Sequence, residues 1–363
     1  MRLIVPLLLS LYFWSCQAQV REVNRIDVNL DMTELHKKGA YFRTARVLAV
    51  DDNFAIGQIG IVDIFLFDLK SGNVVKSIDT DIIIDSLEVH IHRLLGEQYY
   101  VPNNEENLRS RYVGVISYDF RGLLFLEEKG KFVTHMVTTV FNRMDELDQR
   151  LFPSLVLFDK NLDHIEIIPF DPLNRSTNSD LATGGFFLGR DRMFTNMMAW
   201  RHDGDFDFLE YRLTEDHIYT LADTLFGIKT DTLGYIGRFN GCFVFNDKNY
   251  LNLGSMLFTF EGGNIKEGHL MPFPQKVQRN FLYIEPLDEN NLVAYAINNY
   301  RKDPEPTGWL FLLDKDFAIT RVIDKFDLRR AVFCSLFISG KSVYVANYDE
   351  KNESYFLFKY EDF

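Results

Sequence analysis

The sequence predicts an all-β protein built from repeated antiparallel hairpins, and three observations carry this prediction. The chain has 33 Phe and 17 Tyr among 363 residues, an excess that favours pleated sheets, where aromatic side chains pack well. A hairpin pattern recurs along the whole chain. No long segment spaces its apolar residues at a clear helical period, so strands explain the pattern best.

Each copy of the repeat is an alternating strand that ends near an acidic or polar residue. Seven copies occupy residues 64–68, 115–119, 155–159, 206–211, 255–261, 310–314 and 355–360. Their ends lie 40 to 53 residues apart, with a mean of about 48, in the range of β-propeller blades. Six copies are followed, after a short polar turn, by a second strand-like run, which is the pattern of a hairpin. The predicted fold is therefore a β-propeller.

The number of blades and the way the ring closes follow from the same pattern. Most repeats have room for two further strands, which gives four-stranded blades, and seven copies favour seven blades. Six or eight stay open, because the third repeat is short and residues 141–151 could form a helical turn. The seventh copy lacks a partner strand, whereas residues 23–30 offer a spare one. Since a propeller must protect its edges, we expect the N-terminal strand to complete the last blade. An open sandwich of sheets with a disordered N-terminus is the alternative.

The first residues are typical of an export signal. Arg2 precedes an apolar run that is too short to span a bilayer. Residues 13–16 (FWSC) resemble a bacterial lipobox, after which Cys16 would carry a lipid, while cleavage after Ala18 is the competing outcome. The predicted organisation is a signal peptide over residues 1–18 and a single β-propeller domain over residues 19–363, with no membrane-spanning segment. We expect an extracytoplasmic protein, either periplasmic or an outer-membrane-anchored lipoprotein.

The net charge limits the class of binding partner, and the positions of the cysteines limit the possible disulfides. A formal net charge of -13 argues against a nucleic-acid partner, because binding phosphates needs a cationic surface. Cys242 and Cys334 both lie in apolar runs, as expected of small buried side chains. A disulfide between them is the alternative in an oxidising compartment.

The signal ending in Ser-Cys, the polar N-terminal strand and the repeated Φ-x-Φ-F-D-x-x-x-(G/N) hairpins together resemble the secreted β-propeller lipoproteins of Bacteroidota. The resemblance covers most of the chain after residue 18. It implies an extracytoplasmic location and a role in recognition or scaffolding rather than catalysis. It supplies no functional residues.

The longer connections predict where a ligand binds. Between the second and third strands of three repeats lie residues 102–111, 199–205 and 298–308, and loops on a rigid scaffold commonly carry recognition. Aromatic plates and charges in these loops suit a sugar or a peptide. The candidate binding residues are Trp200, Arg201, His202, Asp203, Tyr300 and Trp309. The alternative is that the tryptophans finish buried strands and the other residues form turns.

Sequence patterns for metal binding or catalysis are weaker than the signals in these loops. Residues 203–207 (DGDFD) alternate carboxylates but do not follow the EF-hand spacing. His90 and His92 would share one face if they lay on a strand, but no third ligand is nearby. We therefore predict no metal and no cofactor. The chain also lacks the serine-hydrolase elbow, the zinc-protease motif and the phosphate loop.

The function predicted from these observations is that of an exported, monomeric, non-enzymatic β-propeller that binds a protein or glycan through its loop-rich face. A propeller-fold polysaccharide hydrolase or lyase is the first alternative, with acidic and His residues at the central channel. Converging carboxylates of raised pKa would favour this enzyme. A metal-stabilised structural module is the third reading.

Overall fold

The computed structural model describes residues 24–37, 45–59, 63–101, 119–126, 129–171, 173–174, 181–182, 186–188, 192–199, 206–228, 239–253, 256–261, 264–270, 282–297, 307–329 and 332–361. Within these ranges the fold is all-β apart from two helices, α1 (Met32–Lys37) and α2 (Thr80–Leu95). The described chain begins with strand β1 (Asn24–Val28), and its remaining strands follow in chain order.

The strands of the described residues form six antiparallel sheets; five are each built from a continuous stretch of chain, and the sixth joins the N-terminal strand to the last three strands. Sheet 1 consists of β2 (Ala45–Ala49), β3 (Phe54–Ile59), β4 (Asp63–Asp68) and β5 (Val74–Ile78). Sheet 2 consists of β7 (Asp119–Leu126), β8 (Lys131–Asn142), β9 (Asp145–Asp159) and β10 (Ile165–Pro169), with the short strands β6 (Tyr99–Tyr100) beside β8 and β11 (Leu173–Asn174) beside β9. Sheet 3 consists of β12 (Leu181–Ala182), β13 (Phe186–Leu188), β14 (Arg192–Ala199), β15 (Phe206–Leu213) and β16 (Tyr219–Ile228).

The second half of the chain repeats a regular four-stranded plan. Sheet 4 consists of β17 (Phe239–Phe245), β18 (Lys248–Leu253), β19 (Met256–Glu261) and β20 (Asn264–Leu270). Sheet 5 consists of β21 (Leu282–Pro286), β22 (Asn291–Ile297), β23 (Thr307–Asp314) and β24 (Ile319–Asp327). Sheet 6 consists of β25 (Val332–Ser339), β26 (Ser342–Asp349) and β27 (Ser354–Tyr360), and β1 is its fourth strand.

Each sheet lies against the next one along the chain, and sheet 6 packs against sheet 1. Buried apolar clusters join sheets 1 and 2, sheets 2 and 3, sheets 4 and 5, sheets 5 and 6, and sheets 6 and 1. Sheets 3 and 4 meet where β13 lies beside β17. The hydrophobic core is therefore divided among the interfaces between sheets. Sheets that pack in chain order in this way are characteristic of β-propellers.

The N-terminal segment ties sheet 6 to sheet 1. Strand β1 pairs antiparallel with β27, as expected from the sequence, with Asn24 opposite Lys359. Just beyond β1, the backbone N–H of Asn29 donates a hydrogen bond to the carbonyl of Gly72, at 2.9 Å, in the turn between β4 and β5. Helix α1 then buries Leu35 in the cluster shared by the two sheets.

The repeated acidic residue closes the turn between the third and fourth strands. The Oδ1 atoms of Asp68, Asp159 and Asp314 each accept hydrogen bonds from backbone N–H groups inside the turn, at 2.7 to 3.1 Å. Three residues after Asp159 and Asp314, the backbone adopts positive φ at Leu162 (59°) and Phe317 (63°). Both of these side chains pack into apolar clusters between sheets. The recurring Φ-F-D pattern thus predicts a turn that the Asp closes. In two copies, the apolar side chain three residues after the Asp packs between sheets.

Two parts of the sequence interpretation differ from the structure. Residues 115–118 of the second predicted repeat lie outside the described residues, and its last residue, Asp119, belongs to β7, in the same sheet as the repeat that ends at Asp159. The proposed helical turn over residues 141–151 is wrong, since these residues belong to the hairpin of β8 and β9.

The chain between sheets 1 and 2 is a helix that the sequence interpretation missed. Helix α2 buries Ile83, Leu87 and Ile91, which recur every fourth residue, against sheets 1 and 2. These residues lie among β-branched neighbours, which favour strands, and this composition concealed the helical period.

Candidate functional site

The first long strands of neighbouring sheets lie beside one another. Strand β25 of sheet 6 lies beside β2 of sheet 1 on one side and beside β21 of sheet 5 on the other. Strand β21 also lies beside β17, and β2 lies beside β7. Side chains from three different sheets therefore come together around β25. We call β2, β21 and β25 the inner strands.

An arginine and a tyrosine meet across β25. Arg46 is the second residue of β2 and Tyr283 is the second residue of β21. The guanidinium carbon of Arg46 lies 4.9 Å from the centroid of the Tyr283 ring, within the range of a cation–π interaction. Both side chains are partly buried. Because β25 separates their strands, this contact bridges sheets 1 and 5 at their inner edges.

Glu285 lies two residues beyond Tyr283 and therefore on the same side of β21. Ile284 between them faces the opposite way, into the cluster between sheets 4 and 5, while Tyr283 packs against the cluster between sheets 5 and 6. On the neighbouring strand β22, the residue in register with Glu285 is Val293, which is fully buried. The Glu285 carboxyl thus sits on an apolar wall near the inner edge.

This environment changes the acidity of Glu285. Burial disfavours the charged form and raises the pKa of Glu285 to about 7, although the positive charge of Arg46 acts in the opposite direction. At neutral pH the carboxyl is therefore divided between its protonated and ionised forms. A group of this kind exchanges a proton readily under physiological conditions.

Two described side chains near the inner strands, Tyr295 and Cys334, are neutral at physiological pH. Tyr295 lies in register with Tyr283 on β22, and burial raises its pKa well above the ordinary value. Cys334 on β25 is a buried free thiol whose pKa is also raised by burial. A neutral buried thiol is a poor nucleophile, so Cys334 acts as a packing residue. The disulfide alternative is not formed at Cys334.

Arg46, Tyr283 and Glu285 together form what we call the inner-edge group. It combines a permanent cation, an aromatic ring and a carboxyl that changes its charge near neutral pH. All three side chains retain partial exposure although their chain neighbours Val47 and Ile284 are buried. Chemically, such a group can bind a polar ligand and can donate or accept a proton.

Most of the sequence-predicted binding residues lie outside the described residues. Trp200, Arg201, His202 and Asp203 belong to the connection between β14 and β15, and Tyr300 belongs to the connection between β22 and β23. The β22–β23 connection leaves sheet 5 at the end where β21 begins, which is the end that carries Tyr283. Their role in binding stays a prediction, and so does lipidation at Cys16, which also precedes the described chain.

Trp309 is described and lies within strand β23. It is in register with Ala296 on β22 and with Lys325 on β24. Its partly buried side chain packs against the apolar cluster between sheets 4 and 5. Packing accounts for this tryptophan in the described structure, and a contact with ligand stays a prediction.

The histidine pair does not have the geometry that a strand would give it. His90 and His92 lie on helix α2, where residues two apart point in nearly opposite directions. The strand interpretation was wrong because the helix was not recognised. Of the predicted acidic run, residues 203–205 precede the described part of β15. The described ranges contain no group of three His, Cys, Asp or Glu side chains able to hold a metal ion.

Sequence reasoning missed the inner-edge group because its members are far apart in the chain. Arg46 and Tyr283 are separated by more than 230 residues, and only the packing of sheets 1, 5 and 6 brings them together. The local signal was the run Leu282–Pro286 (LYIEP), in which Tyr and Glu share one face of a short strand. No pattern in the sequence indicated that Arg46 would lie near these two residues.

Comparisons with known proteins return similar structures only. No protein-family model matches the chain, and no curated protein matches it. Among solved structures, the chain is similar to the β-propeller domain of Myceliophteria thermophila Cps50 (Swd1), at 8% identity and a TM-score of 0.43, over 87% of this chain and 96% of that one. It is similar to the Neurospora crassa Pan2 WD40 domain, at 8% identity and a TM-score of 0.43, over 90% and 91% of the two chains.

A third similar structure is a mutant NanB sialidase from Streptococcus pneumoniae, at 10% identity and a TM-score of 0.49, over 90% of this chain and 69% of that one. Identities this low give no residue-by-residue correspondence. In the described residues, no helix has the length and apolar character needed to cross a membrane.

Proposed function

We propose that the chain is an exported six-bladed β-propeller that binds a protein or glycan ligand at the end of the ring where its first strands begin. Sheets 1 to 6 are the six blades, and β1 closes the ring as the outer strand of the last blade. The pairing of β1 with β27, the hydrogen bond from Asn29 to Gly72 and the packing of sheet 6 on sheet 1 support this closure.

The observation that carries the binding function is the inner-edge group. Propeller folds expose a rigid surface where strands from several blades converge, and a ligand placed there can contact many blades at once. Arg46 and Tyr283 lie near the starts of their strands. The connection that contains Tyr300 emerges at this end of sheet 5, so the predicted loop residues and the inner-edge group would contact one ligand.

The proposed location follows from the N-terminal sequence. Residues 1–15 would be cleaved as the signal peptide, and a lipid on Cys16, then the first residue, would anchor the domain in the periplasm or at the outer membrane. Cell fractionation of the wild type and of Cys16→Ala tests this point. We expect the wild type in the membrane fraction and the variant in the soluble periplasmic fraction. Equal distribution of the two proteins would contradict the anchor.

The binding function is tested by thermal unfolding of the chain from Gln19 onward against a panel of neutral and acidic glycans, divalent cations and EDTA. A ligand at 100 times its dissociation constant adds about 2.7 kcal/mol to the unfolding free energy, so its effect is resolved as a higher midpoint. We expect a rise with a subset of glycans and no change with EDTA. If no glycan raises the unfolding midpoint, the glycan part of the proposal fails. A lower midpoint in the presence of EDTA would instead favour a metal-stabilised module.

The raised pKa of Glu285 favours a second candidate, a polysaccharide hydrolase or lyase. A carboxyl that is protonated near pH 7 can act as a general acid. Hydrolysis of a glycoside requires a second carboxylate at a separation of roughly 5 to 9.5 Å. Turnover of a bound glycan by the wild type, lost in Glu285→Gln while binding persists, would establish the enzyme. Binding of the glycan without turnover would favour the non-enzymatic binding function instead.

A further inference from the structure

We propose that an internal water molecule is bound between sheets 1 and 2, where it forms hydrogen bonds with three buried side chains. The amide nitrogen Nε2 of Gln58 and the hydroxyl oxygens of Thr138 and Ser154 are buried and have no hydrogen-bond partner in the described structure. Gln58 is 4% exposed, and Thr138 and Ser154 are fully buried. The proposal concerns the body of the fold and does not depend on the proposed binding function.

The two hydroxyls lie on the face of sheet 2 that packs against sheet 1. Met136 and Phe152 both belong to the apolar cluster that joins these two sheets. Ser154 is in register with Met136, and Thr138 is in register with Phe152. Since side chains in register on neighbouring antiparallel strands lie on the same face, both hydroxyls point into the interface with sheet 1.

Gln58 approaches the same interface from sheet 1. It follows Ile56 by two residues on β3, and Ile56 packs in the same cluster, so both side chains face sheet 2. Gln58 is in register with the second residue of β2, and Met136 is in register with the second residue of β7. Because β2 lies beside β7, Gln58 comes at about the level of Met136. We therefore expect its amide close to the two hydroxyls of sheet 2.

The spacing of the two hydroxyls suits a bridging water. Thr138 and Ser154 are diagonal neighbours on β8 and β9. The Cβ atoms of such neighbours lie roughly 7 Å apart, which is too far for the short Ser and Thr side chains to bond each other directly. A water molecule with hydrogen bonds of about 2.8 Å on two sides spans two oxygens up to about 5.5 Å apart.

The interface provides room for a small molecule at this point and excludes bulk solvent. Packed sheets lie about 10 Å apart, and the cluster fills this space elsewhere with the large rings of Phe132, Phe152 and Phe158. The side chains of Thr138 and Ser154 fill much less of it. Helix α2 packs on the same cluster and helps to cover it.

The donors and acceptors of the three side chains match those of water. The Gln58 nitrogen donates a hydrogen bond, and each hydroxyl can donate one and accept others. Water accepts two hydrogen bonds and donates two, so a single molecule can pair all three groups. Buried waters in proteins typically make about three hydrogen bonds to groups that would otherwise be unpaired. Such a water needs no permanent channel, because it exchanges when the structure opens locally.

The direct test is a crystal structure of the chain from Gln19 onward at a resolution that shows ordered water. We expect a density peak about 2.7 to 3.2 Å from the Thr138 hydroxyl and from at least one of the other two groups. In Thr138→Val, which replaces the hydroxyl by a methyl group of similar shape, the peak should weaken or move. No peak between the three side chains in the wild type would overturn the proposal, and so would direct bonds from these groups to other protein atoms.

The thermal unfolding midpoint of Thr138→Val gives a second test through the sign of its change. If a water is bound, the valine removes one of its partners and should lower the midpoint by about 1 to 3 °C. If the hydroxyl is buried without a partner, the valine removes an unfavourable group and should raise the midpoint. Thr320→Val is the control, because it makes the same change at an exposed position on β24. A midpoint of Thr138→Val that equals or exceeds that of the wild type would contradict the proposal, and if the variant does not fold, the wild-type crystal structure decides.

Discussion

Replacing Glu285 by Gln should remove a dependence of stability on pH that the wild type carries. Burial raises the pKa of Glu285 from 4.5 to about 7 in the folded chain. A pKa that is raised on folding means that the folded state holds the proton more tightly than the unfolded state. The resulting stabilisation is fully present below pH 4.5 and is lost as the pH rises through 7.

The magnitude follows from the size of the shift. About 2.5 pKa units at 1.36 kcal/mol each correspond to about 3 kcal/mol over the whole range. Roughly 2.5 kcal/mol of this change falls between pH 5 and pH 8.5. The glutamine side chain stays neutral, so its burial does not depend on pH. Relative to the wild type, Glu285→Gln should therefore gain about 2.5 kcal/mol of unfolding free energy between these two pH values.

The assay is urea-induced unfolding, followed by intrinsic fluorescence, at pH 5, 6, 7 and 8.5. Glu289→Gln is the matched control, because it makes the same chemical change at an exposed position in the turn after β21. We expect the difference between Glu285→Gln and the wild type to grow with pH, while the control shows no such trend. Parallel curves for all three proteins would refute the assignment of a partly buried, weakly acidic carboxyl at this position.

Two further predictions concern the ring and its turns. Gly72→Ala should destabilise the chain by more than about 2 kcal/mol, because the added Cβ would lie 1.9 Å from the carbonyl oxygen of Asp27 at a φ of +70°. Gly130→Ala, at a φ of +60° with nothing within 4 Å, should cost only about 1 kcal/mol, and equal costs by thermal unfolding would argue against docking of β1 on sheet 1. Asp314→Ala should cost about 1 kcal/mol through loss of its hydrogen bonds to the N–H groups of residues 316 and 318, at 2.9 Å each. Asp314→Asn keeps an acceptor oxygen and should cost less, so equal losses in denaturant unfolding would contradict the turn assignment.

The parts of the fold that the sequence predicted well depend on local signals. The acidic residues Asp68, Asp159 and Asp314 end strands and close turns by bonds to backbone groups two to four residues away. Such interactions are contained within a few residues, so the sequence pattern reveals them directly. The pairing of β1 with β27 was also predicted, because an unpaired last repeat and a spare first strand complement each other.

The parts that the sequence did not predict depend on competing or distant interactions. In helix α2, tertiary packing of Ile83, Leu87 and Ile91 outweighs the strand preference of the β-branched residues around them. The inner-edge group arises from contacts between sheets 1, 5 and 6, and single-sequence patterns contain no information about such contacts.

The central claim, that ligand binds at the inner edges of the sheets, is tested most directly by comparing ligand-induced stabilisation in Arg46→Met and in Arg321→Met, which changes an exposed arginine on the outer strand β24. Each variant is unfolded thermally with and without the glycan that stabilises the wild type, at 100 times the wild-type dissociation constant. The account predicts a gain of about 2.7 kcal/mol for the wild type and for Arg321→Met, and little or no gain for Arg46→Met. An undiminished gain in a folded Arg46→Met variant would contradict it and would place the ligand elsewhere on the molecule.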